Sequence, residues 1–509
     1  MKRLATLLLC CGSYAANAQA DGDSIFNSNQ IHTVYLQFAQ TGWWDSLVAN
    51  FTADAYMQCD LTFDGMAYPA IGVKLKGNSS YNNPSQKKSM KLDLDEYVSS
   101  HDIDGLKKLN LNNGFKDPSF LREKLMLDFM NEHGMAAPRC TYAKVYLNGT
   151  YWGLYMLVEE ANNKFCKQRF GNDDGNRFKG DPSGDLKWLG STPSNYYSKY
   201  ELDNNETAND WSDLVHLIDE ANNTPIAELH DSLETVLNTW SFAYHWAADN
   251  LFVNLDSYIG SGHNYFVYRN TWTNRFEWIH WDVNEAFGNF NFGMNISQLQ
   301  NLSWNYLNQA ANRPLCNRML QDPTYQSMYV AALCDLAADF TNAALDAKID
   351  SLANAIRSDV YADNMKFYSN QQFEDNIVMD INVGQQPGGG NIAGIKPFIG
   401  ARHNALLSQL QAFGCWLGTN ELTKNETVGS YPNPFSSSCT LELPAGWNAS
   451  DCTLQLSDLS GRDVSGCVSL GREGEKLLLR RNALPPGMYL ASISRQGGSP
   501  LHVRLIVSD

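Results

Sequence analysis

The chain is short of positive charge. Against 55 Asp and Glu stand 38 Lys and Arg, a formal net charge of -17, and nowhere do the basic residues gather into a stripe. Binding a phosphate backbone needs clustered Lys and Arg, so nucleic acid is not expected as a partner. Long apolar runs are missing too. Beyond Leu4–Cys11 no stretch approaches the roughly 20 apolar residues of a membrane-spanning helix, and no transmembrane segment is expected. No two cysteines form a CxxC pair and their spacing suggests no zinc site. From about Asp23 to Trp416 there is no repeat, long linker or low-complexity block, which leaves one large α+β domain or two tightly packed lobes.

What is present begins with an export signal. Lys2 and Arg3 precede the apolar run, and Ala18-Gln19-Ala20 supplies small residues for cleavage, so residues 1–20 read as a secretory leader. Cys10 and Cys11 leave with it. Cys59, Cys140, Cys166, Cys316, Cys334, Cys415, Cys439, Cys452 and Cys467 remain, and an oxidising compartment favours disulfides among them, with at least one thiol left over.

The last residues, from about 426 to 509, read as a small all-β, sandwich-like unit. Tyr431-Pro432-Asn433-Pro434-Phe435 opens it, strand-like stretches follow at Cys439–Leu443, Cys452–Asp458 and Lys476–Leu479, and Leu484-Pro485-Pro486-Gly487-Met488-Tyr489-Leu490 leads into Ala491–Ser494 before Val503–Val507.

In the central region, Ala70–Lys76 and Ser89–Leu94 read as strands flanking the small, polar loop Gly77–Gln86, which suits close wrapping of a ligand. Asp117 as cap, Pro118 in the first turn and Phe120, Leu121, Leu125 and Phe129 at helical spacing predict a helix that Gly134 stops. Tyr142–Leu147 and Tyr151–Val158 joined by Asn148-Gly149 predict a hairpin that delivers Glu159 and Glu160 to its far end. Residues 226–254 carry an apolar stripe at helical spacing.

Carboxylates and amides gather between Asp249 and Gly288. Tyr265–Arg269 and Phe276–Trp281 read as a second hairpin whose paired residue numbers sum to about 546, which makes Asn264 and Asp282 neighbours at its open end, able to share one hard cation. Asp256 lies in the loop entering this hairpin. An Asp that orients an acceptor hydroxyl, beside an Asn and an Asp that hold a metal on phosphates, is what phosphotransfer needs. Asp249 and Glu285 are nearby competitors with structural roles the default.

Two resemblances rest on these residues. The C-terminal unit, by its Tyr-Pro-Asn-Pro-Phe opening, Asp458-Leu459-Ser460-Gly461-Arg462, the Pro-Pro-Gly-Met-Tyr turn and the terminal Arg504-Leu505-Ile506-Val507, resembles the type IX secretion C-terminal sorting domain. That implies export through the type IX machinery and attachment at the outer-membrane surface. Residues 21–425 resemble the spore coat protein H (CotH) kinase-like family through Gly72–Ser80, Lys87–Leu92, Leu109–Asn112, Asp117–Glu123, Gly153–Glu159, Arg169–Gly171, Phe178–Gly180, Asp256–Tyr258, His263–Tyr265 and Trp281–Asn284. The resemblance implies an atypical two-lobed protein-kinase fold, with Asp256 catalytic, Asn264 and Asp282 binding Mg2+ or Mn2+, and Lys88 paired with Glu159 on the phosphates of ATP. Lys87 and Lys91 are alternatives to Lys88. Residues 259–262 lengthen the stretch between Asp256 and Asn264 relative to the family, and Asn284 stands where the family usually has another Asp.

An ATP-dependent kinase acting on an exported protein is thus the first reading. A non-catalytic coat-type protein is the second. The third is a carbohydrate-active protein, in which 12% aromatic residues stack on sugars and Glu159 or Glu160 works with Asp282 as acid and base.

Overall fold

The computed structural model describes residues 20–27, 30–415, 428–433, 435–444, 446–458, 463–485, 487–495 and 501–507. The expected leader up to residue 19, Pro434, Pro486 and the Leu459-Ser460-Gly461-Arg462 stretch lie outside the described residues. The architecture is α+β.

The strand-rich first part closes into a barrel. Its strands are β1 (Ile31–Gln37), β2 (Met57–Phe63), β3 (Met66–Lys76), β4 (Ser89–Asp93), β5 (Lys108–Asn112), β6 (Cys140–Leu147) and β7 (Thr150–Glu159), in the order β1-β2-β3-β4-β5-β7-β6. Parallel pairing of β1 with β6 shuts it. Val73, Leu75, Met90, Leu92, Leu109 and Leu111 fill the interior. The period of two therefore turns Lys74, Lys76, Ser89, Lys91, Asn110 and Asn112 outward on one continuous face. In the β6–β7 hairpin Asn148 and Gly149 take φ values of 46° and 79°, the left-handed pair that a two-residue turn needs.

The helix expected from Asp117 starts later, as α2 (Arg122–Glu132), after the short turn α1 (Ser79–Asn82) earlier in the chain. The Asp117 carboxylate accepts from the N–H groups of Ser119 and Arg122 and from the Arg122 guanidinium. That local turn, with Phe120 at φ 57°, replaces the helix's first turn. The stripe over 226–254 likewise splits. A helix at Leu229–Val236 stops, and Asn238 caps α3 (Thr239–Leu251) by accepting from the Ser241 N–H.

A second sheet, order β11-β10-β8-β9, comprises β8 (Arg177–Lys179), β9 (Glu201–Leu202), β10 (Tyr265–Asn270) and β11 (Arg275–His280). The β10–β11 register is one residue tighter than expected. Tyr265 faces His280 and Asn270 faces Arg275, so Trp281, not Asp282, stands opposite Asn264 and donates its N–H to the Asn264 carbonyl at 3.2 Å.

Helices α4 (Pro323–Asp339), α5 (Asn342–Ala362) and α6 (Ile395–Leu410) pack around α3 in the largest core, where Trp246 stacks on Tyr329 at 3.7 Å. A two-residue pairing of β12 (Ile381–Asn382) with β13 (Asn391–Ile392) precedes α6. The Cys334–Cys415 disulfide ties α4 to the end of this layer. Cys59, Cys140, Cys166, Cys316, Cys439, Cys452 and Cys467 are free, so the expectation of disulfides holds for a single pair among the described residues.

The C-terminal unit is two facing sheets around a separate core. β14 (Gly429–Tyr431), β15 (Ser438–Glu442), β18 (Lys476–Arg481) and β17 (Val468–Glu473) form one, and β16 (Cys452–Asp458), β19 (Gly487–Arg495) and β20 (Leu501–Val507) the other. Strand β17 escaped sequence reading because it is an edge strand with mostly exposed side chains. Among the described residues no helix is long and apolar enough to cross a membrane.

Candidate active site

A cleft of about 750 Å³ opens between the outward face of β3–β4–β5 and the open end of the β10–β11 hairpin. Gly77, Asn78, Ser79 and Ser80 of the loop and Asn113, Gly114, Lys116 and Asp117 of the next turn line it as well.

Asp256, Asn264 and Asp282 all line it. The longer stretch between the first two folds up on itself. Ser261 donates to the Leu255 carbonyl and Gly262 to that of Ser257, each at 2.9 Å, while Arg313 grips the Gly260 carbonyl. Gly260 is required here, since a Cβ would sit 1.8 Å from the Leu255 oxygen. His263 and Asn264 are thereby returned to Asp256. The Asn264 Nδ2 donates to the Asp256 backbone oxygen at 2.8 Å and to Oδ2 at 3.2 Å, and His263 Nε2 lies 2.7 Å from Oδ1. Asn264 and Asp282 both hold left-handed backbone, φ 61° and 52°. Such geometry costs of order 1 kcal/mol or more per residue and tends to mark functional positions.

Asp282 lies deep in the cleft yet open to the solvent within it. Among the described residues its carboxylate makes no hydrogen bond or ion pair. Burial raises its pKa, Lys76 opposes the rise, and the Asp256 charge adds to it. No three His, Cys, Asp or Glu side chains among the described residues form a metal cluster. The donor set is one amide and one carboxylate.

The structure does not bring Lys88 and Glu159 together, and neither lines the cleft. Lys88 precedes β4 and turns its ammonium back to the carbonyls of Tyr81 and Asn83. Glu159 ends β7 against Arg139, at 2.6 Å, and Arg169, at 3.4 Å. Each is one position out of phase with the cleft face. The next residue, Glu160, enters the cleft, where it meets Lys91 at 2.8 Å and the Asn110 amide at 2.6 Å. Burial would raise the Glu160 carboxyl, but Lys91, Lys76 and these hydrogen bonds hold it down at about 2. A group so acidic stays ionised near neutrality, which leaves Glu160 only the base half of the acid–base pair expected with Asp282. Lys87 is a buried pin, its ammonium on Asp363 and the Leu154 carbonyl. Asp249 serves structure as well, joined to His280 at 2.8 Å and Asn254 at 2.9 Å.

Lys76 was missed. Among the lysines lining the cleft, Lys74 pairs with Asp54, Lys91 with Glu160, Lys116 with Glu285 and Lys179 with Asp181. Lys76 alone has no carboxylate partner among the described residues. It donates instead to the amide oxygens of Asn110, at 2.9 Å, and Asn112, at 3.2 Å. Burial lowers its pKa, against the pull of Glu160 and Asp282. The same Asn112 gives its amide to Glu123, whose carboxyl burial pushes up to about 8, with Asp282 adding repulsion. The signal for Lys76 lay in parity: with Val73 and Leu75 inside, Lys74 and Lys76 must face out beside the polar loop.

Fold and cleft together define an α+β protein with a charge-lined cleft between a seven-stranded barrel and the β10–β11 hairpin. The family model described as CotH kinase protein matches residues 73–389, and the chain belongs to that family. The secretion system C-terminal sorting domain matches residues 430–508. That domain sends the chain through type IX secretion to the surface and makes the secretion machinery its partner. The Inner spore coat protein H of Bacillus subtilis (strain 168) is 25% identical over 274 residues, covering 53% of this chain and 73% of that protein. Among solved structures, the twitchin kinase region from C. elegans has 10% identity and a TM-score of 0.21, covering 83% of this chain and 71% of that one. An S-layer protein has 11% identity and a TM-score of 0.11, covering 56% of this chain and 36% of that one. Superpositions this loose carry no argument.

Proposed function

We propose that this surface protein is an atypical, metal-dependent protein kinase that transfers the γ-phosphate of ATP to a hydroxyl of an exported protein. The observation that supports the reading is that, among the described residues, Lys76 and Asp282 face one cleft with no ion-pair partner, each feeling the other's charge only at a distance. A metal-bound polyphosphate would satisfy both at once.

In this reading the barrel is the nucleotide lobe and the helical layer with the β10–β11 hairpin is the acceptor lobe. Asn264 and Asp282 would hold Mg2+ or Mn2+, and their small donor set fits, because magnesium keeps several waters and shares phosphate oxygens rather than filling an all-protein cage. The ion would neutralise charge on the phosphates. Lys76, in place of Lys88, meets the phosphates, and Glu160 with Lys91 takes the part expected of Glu159. Asp256, its Oδ1 engaged by His263, offers Oδ2 to the acceptor hydroxyl. The hydroxyl gives its proton to that oxygen, its own oxygen bonds to the γ-phosphorus, and ADP departs.

Purified protein incubated with labelled ATP, magnesium and secreted proteins tests this. Asp256→Asn should lose about 10²–10⁴-fold in rate, the usual worth of an acid–base group, and keep nucleotide binding. Wild-type protein that binds ATP yet labels no faster than Asp256→Asn would make the chain a nucleotide-binding coat-type protein instead.

A further inference from the structure

Lys88 belongs to no cleft contact, yet its surroundings are unusual for a lysine. Its side chain is buried, at 9% exposure, and no carboxylate partners it among the described residues. Burial lowers its pKa. Its hydrogen-bond partners are the carbonyls of Tyr81 and Asn83, and its ammonium lies 5.1 Å from the Tyr81 ring centre. All three belong to the loop Gly77–Gln86. Those hydrogen bonds are made to the loop, so the energy of this partly covered ammonium depends on where the loop sits.

Within itself the loop is held by short-range bonds, Tyr81 and Asn82 donating their N–H groups to the Asn78 carbonyl and Ser85 its N–H to the Asn83 side chain. Gly77 reverses the chain at φ 100°, where a Cβ would meet the Ser80 hydroxyl at 2.1 Å. The α1 turn that follows is too short to be stable alone, and its last carbonyls lack intrahelical partners. Lys88 donates to one of them, that of Tyr81, and to the carbonyl of Asn83 just beyond, in the manner of a basic side chain at a helix C-terminus. From the other side Tyr81 stacks on Phe51 with ring centres 3.4 Å apart and planes within 7°. Lys88 adjoins β4, whose Met90 and Leu92 are locked in the barrel core. The opposite edge of the loop, Asn78, Ser79 and Ser80, lines the cleft.

We propose that Lys88 is a positioning residue that hooks the loop from behind, so that Asn78, Ser79 and Ser80 present N–H and hydroxyl donors to the outer phosphates of the nucleotide. This rests on the cleft being the nucleotide site. It assigns the phosphate contact to the loop and not to Lys88 itself.

Hydrogen exchange of the ligand-free full chain tests the hook without reference to activity. In Lys88→Met the amides of Tyr81 and Asn82, both bonded to the Asn78 carbonyl, should exchange at least about tenfold faster, the scale of one or two lost hydrogen bonds, while those of β4 and β5 keep their wild-type protection. Phe51→Ala, which loosens the same loop from its other side and leaves β4 untouched, should accelerate the same amides. Unchanged loop exchange in a folded Lys88→Met protein would overturn the hook. Calorimetry adds the second arm: with magnesium, Lys88→Met should weaken ATP about tenfold and leave AMP unchanged, since the loop faces only the outer phosphates. Equal loss for both nucleotides would overturn the positioning role. Wild-type protein that binds neither would refute the cleft reading and with it the phosphate role, and the exchange arm would then decide on the hook alone.

Discussion

Lys76 and Lys91 stand on the same face of the barrel, yet among the described residues only Lys91 has a carboxylate partner. Lys91 is paired with Glu160, whereas Lys76 donates only to two amide oxygens. Lys76→Met should therefore raise the dissociation constant for magnesium-ATP by about tenfold or more, the value of a charge-assisted hydrogen bond, with no loss of thermal stability. Titration calorimetry and a melting curve on the same sample check both halves. The sequence made the outward face legible, because alternation sorts Lys74 and Lys76 from Val73 and Leu75. It did not make the choice among lysines legible. That choice depends on which carboxylate reaches which ammonium from strands far apart in the chain, and a one-residue offset at Lys88 and at Glu159 is enough to take both out of the cleft.

The hairpin β10–β11 shows a similar limit among elements. Its existence and its open end were readable from alternating apolar residues around a polar turn. Its register was not, and the pairing is one residue tighter than expected. Asn264 and Asp282 nonetheless reach the same cavity because both leave the ladder through left-handed backbone, which frees their side chains from strand alternation. The barrel and the helical layer are joined by Lys87, two residues before β4, and Asp363, which follows the last turn of α5. Both side chains are fully buried, and the Asp363 carboxylate also accepts the Leu154 N–H. Removing one partner strands the other charge, so Lys87→Met should cost about 3–5 kcal/mol. Urea unfolding measures it. A loss below about 1 kcal/mol, the scale of an exposed pair, would show that the pin is dispensable.

Taken as one molecule, the chain joins a cleft-bearing unit to an address. The C-terminal sheets carry their own core around Trp447, Leu456 and Leu479, separate from the two cores that hold the cleft. Removing residues beyond about Val428 should block surface delivery and leave the melting profile of the remainder intact, and fractionation of cells expressing the truncated chain, with calorimetry of the product, checks this. This level was the most legible from sequence, since sorting motifs and strand alternation are local. Barrel closure was not, because it requires β1 and β6, more than a hundred positions apart, to pair in parallel. The central claim, that the cleft takes a metal-bound nucleotide, is tested most directly by titrating ATP into the purified protein with and without magnesium, alongside Asp282→Asn. The account predicts binding only with magnesium, and its loss or marked weakening in Asp282→Asn. Equal affinity with and without the metal, or a variant that binds as tightly as wild type, would contradict it.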